Sequence, residues 1–184
     1  MAHGLGRASR RSLPRSRVTA PAWQYADWPT IDPVRNLIAF WAVDGSEPDG
    51  SSATVVVRKG ATLEQVACVA AGNTKHWPTF AADGRLVVRV LVDTARGRER
   101  IVVAGTESRD YERVGTPRCS PGGSHIAAAM RRDGKGFLWI DGHEVGPFDA
   151  VGNPRFVVED LIGLVVRNGP DAAWHAVRAR VGRS

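Results

Sequence analysis

Four segments of this chain align without a gap over thirteen residues, at 28–40, 77–89, 116–128 and 153–165. No other feature restricts the fold as much, because self-similarity at a period of tens of residues marks small units that must stack to bury their faces. The prolines that open them, Pro29, Pro78, Pro117 and Pro154, stand 49, 39 and 37 residues apart. Two places on, each copy carries an apolar residue: Ile31, Phe80, Cys119 and Phe156. A turn follows, clearest as Asp83-Gly84 and Pro121-Gly122-Gly123, and then an apolar run at 37–43, 86–92, 126–130 and 161–166. Proline suits the first residue of a strand, where no ladder donor is needed, and glycine supplies the positive φ of a tight turn. Each copy therefore opens with a β-hairpin. Phe80 and Cys119 are expected in equivalent, buried places.

The rest of each copy repeats more loosely. A third strand is expected at 53–58, 98–103, 136–140 and 172–178, and Trp139 and Trp174 match within it. Trp174, Val177 and Val181 also have helical spacing, but the alignment favours a strand. A fourth strand, at 65–70, 110–114 and 147–151, leads back to the next proline. Four-stranded units of this length have the spacing of propeller blades. The expected fold is all-β, a β-propeller of about four four-stranded blades over residues 22–184, with a fragment of a larger propeller as the alternative. The last copy has three strands, so the segment at 22–27, with Trp23 to Ala26 at its heart, is expected to complete the last blade.

Ahead of that domain, residues 1–21 form a basic tail with Arg7, Arg10, Arg11, Arg15 and Arg17 and no acid. The formal net charge is +6, and five of those six units sit in the tail. The remainder is close to neutral, which argues against a specific nucleic-acid role. A basic tail without periodicity is expected to be disordered. It lacks the apolar stretch of a secretory signal, and no run approaches a membrane span, so the expectation is a cytoplasmic bacterial protein, or a periplasmic one if the N-terminus is truncated.

The pattern of Pro117-Arg118-Cys119-Ser120-Pro121-Gly122-Gly123 resembles the WD-like repeat of TolB-type β-propellers, with Gly122 where aspartate is usual. Pro78-Thr79-Phe80-Ala81-Ala82-Asp83-Gly84 keeps the Asp-Gly and lacks the Ser-Pro, and residues 140–149 resemble the link between third and fourth strands. The resemblance covers residues 22–184 and implies a bacterial propeller; it implies no particular activity.

Chemistry has to be sought residue by residue. Ser120 and Ser124 lack the Gly-x-Ser-x-Gly elbow, and His125 directly after Ser124 points to the opposite face of a strand. His143-Glu144 lacks the second histidine of a zinc helix. Residues 44–50 have the flavour of a calcium loop, but Pro48 falls where an oxygen ligand is required. Cys68 and Cys119 have neither CxxC spacing nor a histidine pair and suit buried small apolar sites. No metal, cofactor or catalytic residue is expected. Trp28 and Trp77, directly before their prolines, are the candidate ligand-binding residues, since two matching indoles could form a stacking platform at a channel mouth or pack between blades. Thr116 and Asn153 hold the same place in the other copies. The expected function is a non-catalytic binding module for a protein or peptide, as a monomer or homodimer. Two alternatives are the gating propeller of a larger serine hydrolase and a lectin-like or small-ligand binder.

Overall fold

The computed structural model describes residues 25–43, 52–59, 62–71, 78–93, 95–169 and 171–182. The basic tail, Trp23, the loop at 44–50 and Trp77 lie outside the described residues, as do the side chains of Trp28 and Cys68. Every regular element among them is a β-strand, and the strands form four antiparallel sheets, none of which closes on itself. No helix is long and apolar enough to cross a membrane among the described residues.

Sheet 1 holds β1 (Tyr25–Asp32), β2 (Leu37–Val43), β3 (Ser52–Lys59) and β4 (Thr62–Ala71) in chain order. Sheet 2 holds β5 (Thr79–Phe80), β6 (Leu86–Asp93), β7 (Arg98–Val103) and β8 (Thr106–Glu107). In sheet 3, β9 (Arg113–Val114) and β10 (Arg118–Cys119) both pair with β11 (Ile126–Arg132), and β12 (Lys135–Ile140) and β13 (His143–Phe148) follow. Sheet 4 repeats that plan: β14 (Ala150–Val151) and β15 (Arg155–Val158) share one edge of β16 (Leu161–Arg167), with β17 (His175–Arg180) on the other. The last strand settles the helix-or-strand choice around Val177 in favour of the strand.

Two-residue turns close three hairpins. Ala104-Gly105, Asp133-Gly134 and Asp141-Gly142 all have positive φ at both positions, the geometry that matches strand twist. Apolar alternation then decides which faces meet. Ala39, Trp41 and Val55 of sheet 1 pack on Val88, Val90 and Val102 of sheet 2. Val87 and Ile101 on the other face of sheet 2 pack on Ile126, Met130 and Trp139 of sheet 3, and Ala127 and Leu138 of sheet 3 meet Ile162, Leu164 and Val166 of sheet 4. Three apolar layers thus join successive sheets. The run Ala127–Ala129 favours helix by intrinsic propensity, yet it sits in a strand buried on both faces. Small side chains let two neighbouring sheets close on it, and packing overrides propensity there.

The register corrects three expectations. The segments before the prolines are not simply fourth strands of the preceding sheet. Tyr111 still bridges Glu99 of sheet 2, but Arg113 and Val114 already pair with Arg131 and Met130 of sheet 3. Likewise β13 pairs with β12 of sheet 3, and two residues later Ala150 and Val151 pair with Arg167 and Val166 of sheet 4. Each such segment begins in one sheet and ends as the front half of the next sheet's first strand. The gap between the halves falls on the proline, which has no N–H to give the ladder.

The described half of the N-terminal strand does not close the last sheet either, and its other half, Trp23 and Gln24, lies outside the described residues. Tyr25 and Ala26 pair with Val43 and Ala42, and the register shift between Asp27 and Thr30 marks the same break at Pro29. They belong to the front of sheet 1. Among the described residues no strand pairs with the far edge of β17, whose Arg178 and Arg180 place charge there.

The third correction concerns the gapless alignment. Phe80 pairs with Leu86 but Cys119 with Ile126, so the third hairpin holds one residue more than the second. A one-residue difference turns every later side chain to the other face. Trp139 therefore matches Val177, not Trp174, for these two lie opposite Ala128 and Leu164, each two places beyond its hairpin pair. Trp139 is buried, whereas Trp174 precedes β17 and is 51% exposed. Phe80 and Cys119 are partly rather than fully buried, packed at the edges of their layers, and Ile31 is 63% exposed.

The hairpin turns also grip one another. Arg85 of sheet 2 donates to the carbonyls of Gly123, at 2.6 Å, and Ser124, at 2.9 Å. Glu159 of sheet 4 accepts from the Ser120 hydroxyl at 2.6 Å, from the Ser124 N–H at 3.0 Å and from the Gly122 N–H. Those hydrogen bonds, the Ser120 hydroxyl first and the Gly122 N–H next, hold the Glu159 carboxyl at about 2, against an ordinary 4.5. A depressed folded-state pKa contributes stability that is full above the unfolded value and lost as pH falls through the folded one. Acidification from about pH 5 to about pH 2 should therefore lower the melting temperature of the wild type more steeply than that of Glu159→Gln. Parallel melting curves across that window would contradict the role of this carboxylate.

Candidate functional site

A cleft of about 460 Å³ opens where the front halves of the first strands, β9 and β14, meet the ends of β11 and β16. Its polar wall is made by Arg89, Arg113, Arg131, Arg167, Asp149 and Asn153. Thr116 also lines it. Thr116 and Asn153 hold the place directly before the aligned proline, so in two of the four copies that position does reach a cleft. The corresponding Trp28 and Trp77 side chains lie outside the described residues.

The backbone explains why arginines gather here. Arg113 and Arg131 are register partners across β9 and β11, so both project from one face of sheet 3. Arg167 holds in β16 the place that Arg131 holds in β11, each five residues beyond the hairpin partner Ile162 or Ile126. Arg89 enters from β6.

Their partners differ. Arg89 is held by both oxygens of Glu99, with Nε at 3.2 Å, and Glu99 also accepts the Val114 N–H at 2.6 Å. Glu99 is only 8% exposed and ties sheet 2 to the first strand of sheet 3. Asp149 accepts from Lys135 Nζ and from the Gly169 N–H, and these bonds, Lys135 first, hold its carboxyl below the ordinary range. Arg131 reaches Glu112 only at 3.7 Å. Arg113 has no carboxylate partner among the described residues. Arg167 lies over the Trp174 ring at 5.6 Å, and its Nε, shielded from solvent, meets no acceptor among the described residues. Glu99 answers Arg89 and Glu112 stands nearest Arg131, while Lys135 and Arg167 share the single charge of Asp149 and Arg113 has no carboxylate among the described residues, which leaves an excess of two positive charges.

A second cleft, of about 760 Å³, lies between sheets 2 and 3 around Tyr111, Trp139, His143 and Glu144. Here Glu144 is the hub of a closed network. Glu144 accepts from the Tyr111 hydroxyl, from Arg132 at 2.8 Å and pairs with Arg109 at 3.3 Å. Burial, and then the bond to Glu144, pushes the Tyr111 hydroxyl above its ordinary range, so it stays protonated. Burial alone would raise Glu144, but bonds from Arg132 and Tyr111 outweigh it and hold the carboxyl low. This network clamps two sheets together.

The serines of the third turn are engaged in the same structural manner. Ser120 is 3% exposed with its hydroxyl on Glu159, and the His125 ring bonds Asp141 at 2.7 Å and stacks on Phe156. Burial pushes the Cys119 thiol above its ordinary range. Among the described residues no three His, Cys, Asp or Glu side chains group as metal ligands. Sequence reasoning missed the arginine cleft. The signal was present as arginines at the ends of second strands, but the slip in the third hairpin hid that Arg131 and Arg167 are equivalent. No family model matches the chain, and no curated protein matches it.

Proposed function

We propose that this chain is a non-catalytic interaction module of the β-propeller kind, which takes a protein or peptide partner through an acidic segment of that partner. Four sheets in sequence, packed face to face and laced by segments that cross from one to the next, support the propeller reading and its resemblance to TolB-type repeats. The sheets would stand as four consecutive blades.

One observation carries the binding role. Two arginines face each other across adjacent strands, where like charges destabilise a sheet, and among the described residues only one of them has even a distant carboxylate. A cluster that weakens the fold unless an anion joins it suits a binding site. Guanidinium groups stay protonated and cannot abstract a proton, so they bind and orient. Rim charges of this kind set specificity and association rate, with strong dependence on salt.

Fluorescence anisotropy with short Glu- and Asp-rich peptides tests the reading. The wild type should bind, more weakly as salt rises, and the double variant Arg113→Ala, Arg131→Ala should lose at least about tenfold in affinity. Binding that is absent, or indifferent to both arginines, would end the proposal for this cleft.

A further inference from the structure

We propose that the group the arginine cleft selects is a phosphomonoester dianion. This rests on the cleft being the binding site of the preceding section, and it names the chemistry that site prefers. The first ground is charge. With Lys135 and Arg167 sharing Asp149 and Arg113 facing no carboxylate among the described residues, the cluster keeps an excess of two positive charges, which balances a phosphomonoester carrying about −1.5 to −2 at pH 7. A single carboxylate neutralises only one of them.

The second ground is donor geometry. Arg113 and Arg131 lie side by side in register, so their planar forks can address neighbouring oxygens of one tetrahedral group. Arg167 stands on the adjoining sheet and lines the same cleft. Thr116 and Asn153 add neutral hydrogen-bonding side chains to the same wall, of the kind that accompanies arginine around phosphate.

The third ground is what the cleft lacks. Its one lining carboxylate among the described residues, Asp149, is already taken by Lys135 and the Gly169 N–H, so it does not repel an incoming anion as a free acid would. At about 460 Å³ the space exceeds a bare phosphate and admits the residue or small molecule that carries it.

Isothermal titration with the full chain tests this with three probes: inorganic phosphate, a phosphoserine-containing peptide, and the same peptide with glutamate in place of phosphoserine. The phosphopeptide should bind at least about tenfold more tightly than the glutamate peptide, and inorganic phosphate should compete with it. Arg113→Lys keeps the charge and loses the fork, so it should shrink that preference several-fold. Arg178→Ala, an exposed arginine on β17 away from the cleft, should leave it unchanged. Binding of inorganic phosphate as tight as the phosphopeptide would place the ligand among free phosphorylated small molecules, and the dianion assignment would stand. Equal affinity for phosphoserine and glutamate peptides would overturn the inference while leaving an acidic-segment binder intact. Binding of neither peptide would remove both. Thermal melts of each variant, expected to match the wild type because the substituted side chains are exposed, separate lost binding from lost folding.

Discussion

Gly123→Ala should destabilise this protein by about 3–5 kcal/mol, an effect large enough to abolish folding in a marginally stable domain. Two independent penalties add. Gly123 has φ +83°, a conformation that costs an L side chain about 1–2 kcal/mol. A β-carbon there would also stand 2.5 Å from the Asp83 nitrogen and 2.8 Å from the Ala82 nitrogen of the neighbouring turn. Those are backbone atoms of sheet 2, so the clash can be relieved only by moving one turn off the other. That motion would break the bonds from Arg85 to the Gly123 and Ser124 carbonyls. Gly134→Ala is the control. Gly134 also has positive φ, +70°, but no atom lies within 4 Å of the added methyl, so only the conformational cost of about 1 kcal/mol remains. Urea denaturation of both variants measures the difference, and equal losses would mean that the turns do not abut.

Glu99→Ala should cost about 3–5 kcal/mol, the usual consequence of removing one partner of a buried ion pair. The carboxylate is the junction of three groups: both sides of the Arg89 fork and the Val114 N–H. Without it, the Arg89 charge loses its partner at the cleft wall and the N–H of fully buried Val114 loses its acceptor. Glu99→Gln keeps the shape and part of the hydrogen bonding, and should lose about half as much. A loss under about 1 kcal/mol for the alanine variant would show that water reaches this junction and screens the pair.

The strand content was legible because its signals are local. Proline, an Asp/Pro-Gly turn and a β-rich run specify a hairpin within a dozen residues, and Phe80 and Cys119 do sit opposite Leu86 and Ile126. What failed was register. One additional residue in the third hairpin costs nothing in composition yet reverses the faces of everything after it. That is why Trp139 matches Val177 and why the equivalence of Arg131 and Arg167 escaped notice. The segment at 110–114 was misplaced for a different reason. Its apolar and polar alternation suits a strand in either sheet, and the choice is made by hydrogen bonds to Arg131 and Met130, far away in sequence. The candidate site was opaque because its arginines come from three sheets. Large aromatic residues such as Trp28 and Trp77 are conspicuous one at a time in a sequence, whereas a charge balance exists only once the sheets are assembled.

The segments that begin in one sheet and finish in the next have a mechanical meaning. In a simple tandem array, the last unit can fray while its neighbours persist, because the interface between units is made only of side-chain contacts. Here residues 106–114 hold backbone bonds to β7 and to β11 at once, and residues 143–151 do the same for β12 and β16. Peeling sheet 4 from sheet 3 therefore tears ladder bonds on both sides of the seam. Local opening of sheet 2, 3 or 4 is coupled to global unfolding through a covalently continuous strand, which makes the stacked sheets one cooperative body and gives the cleft at their junction a frame that does not breathe one sheet at a time.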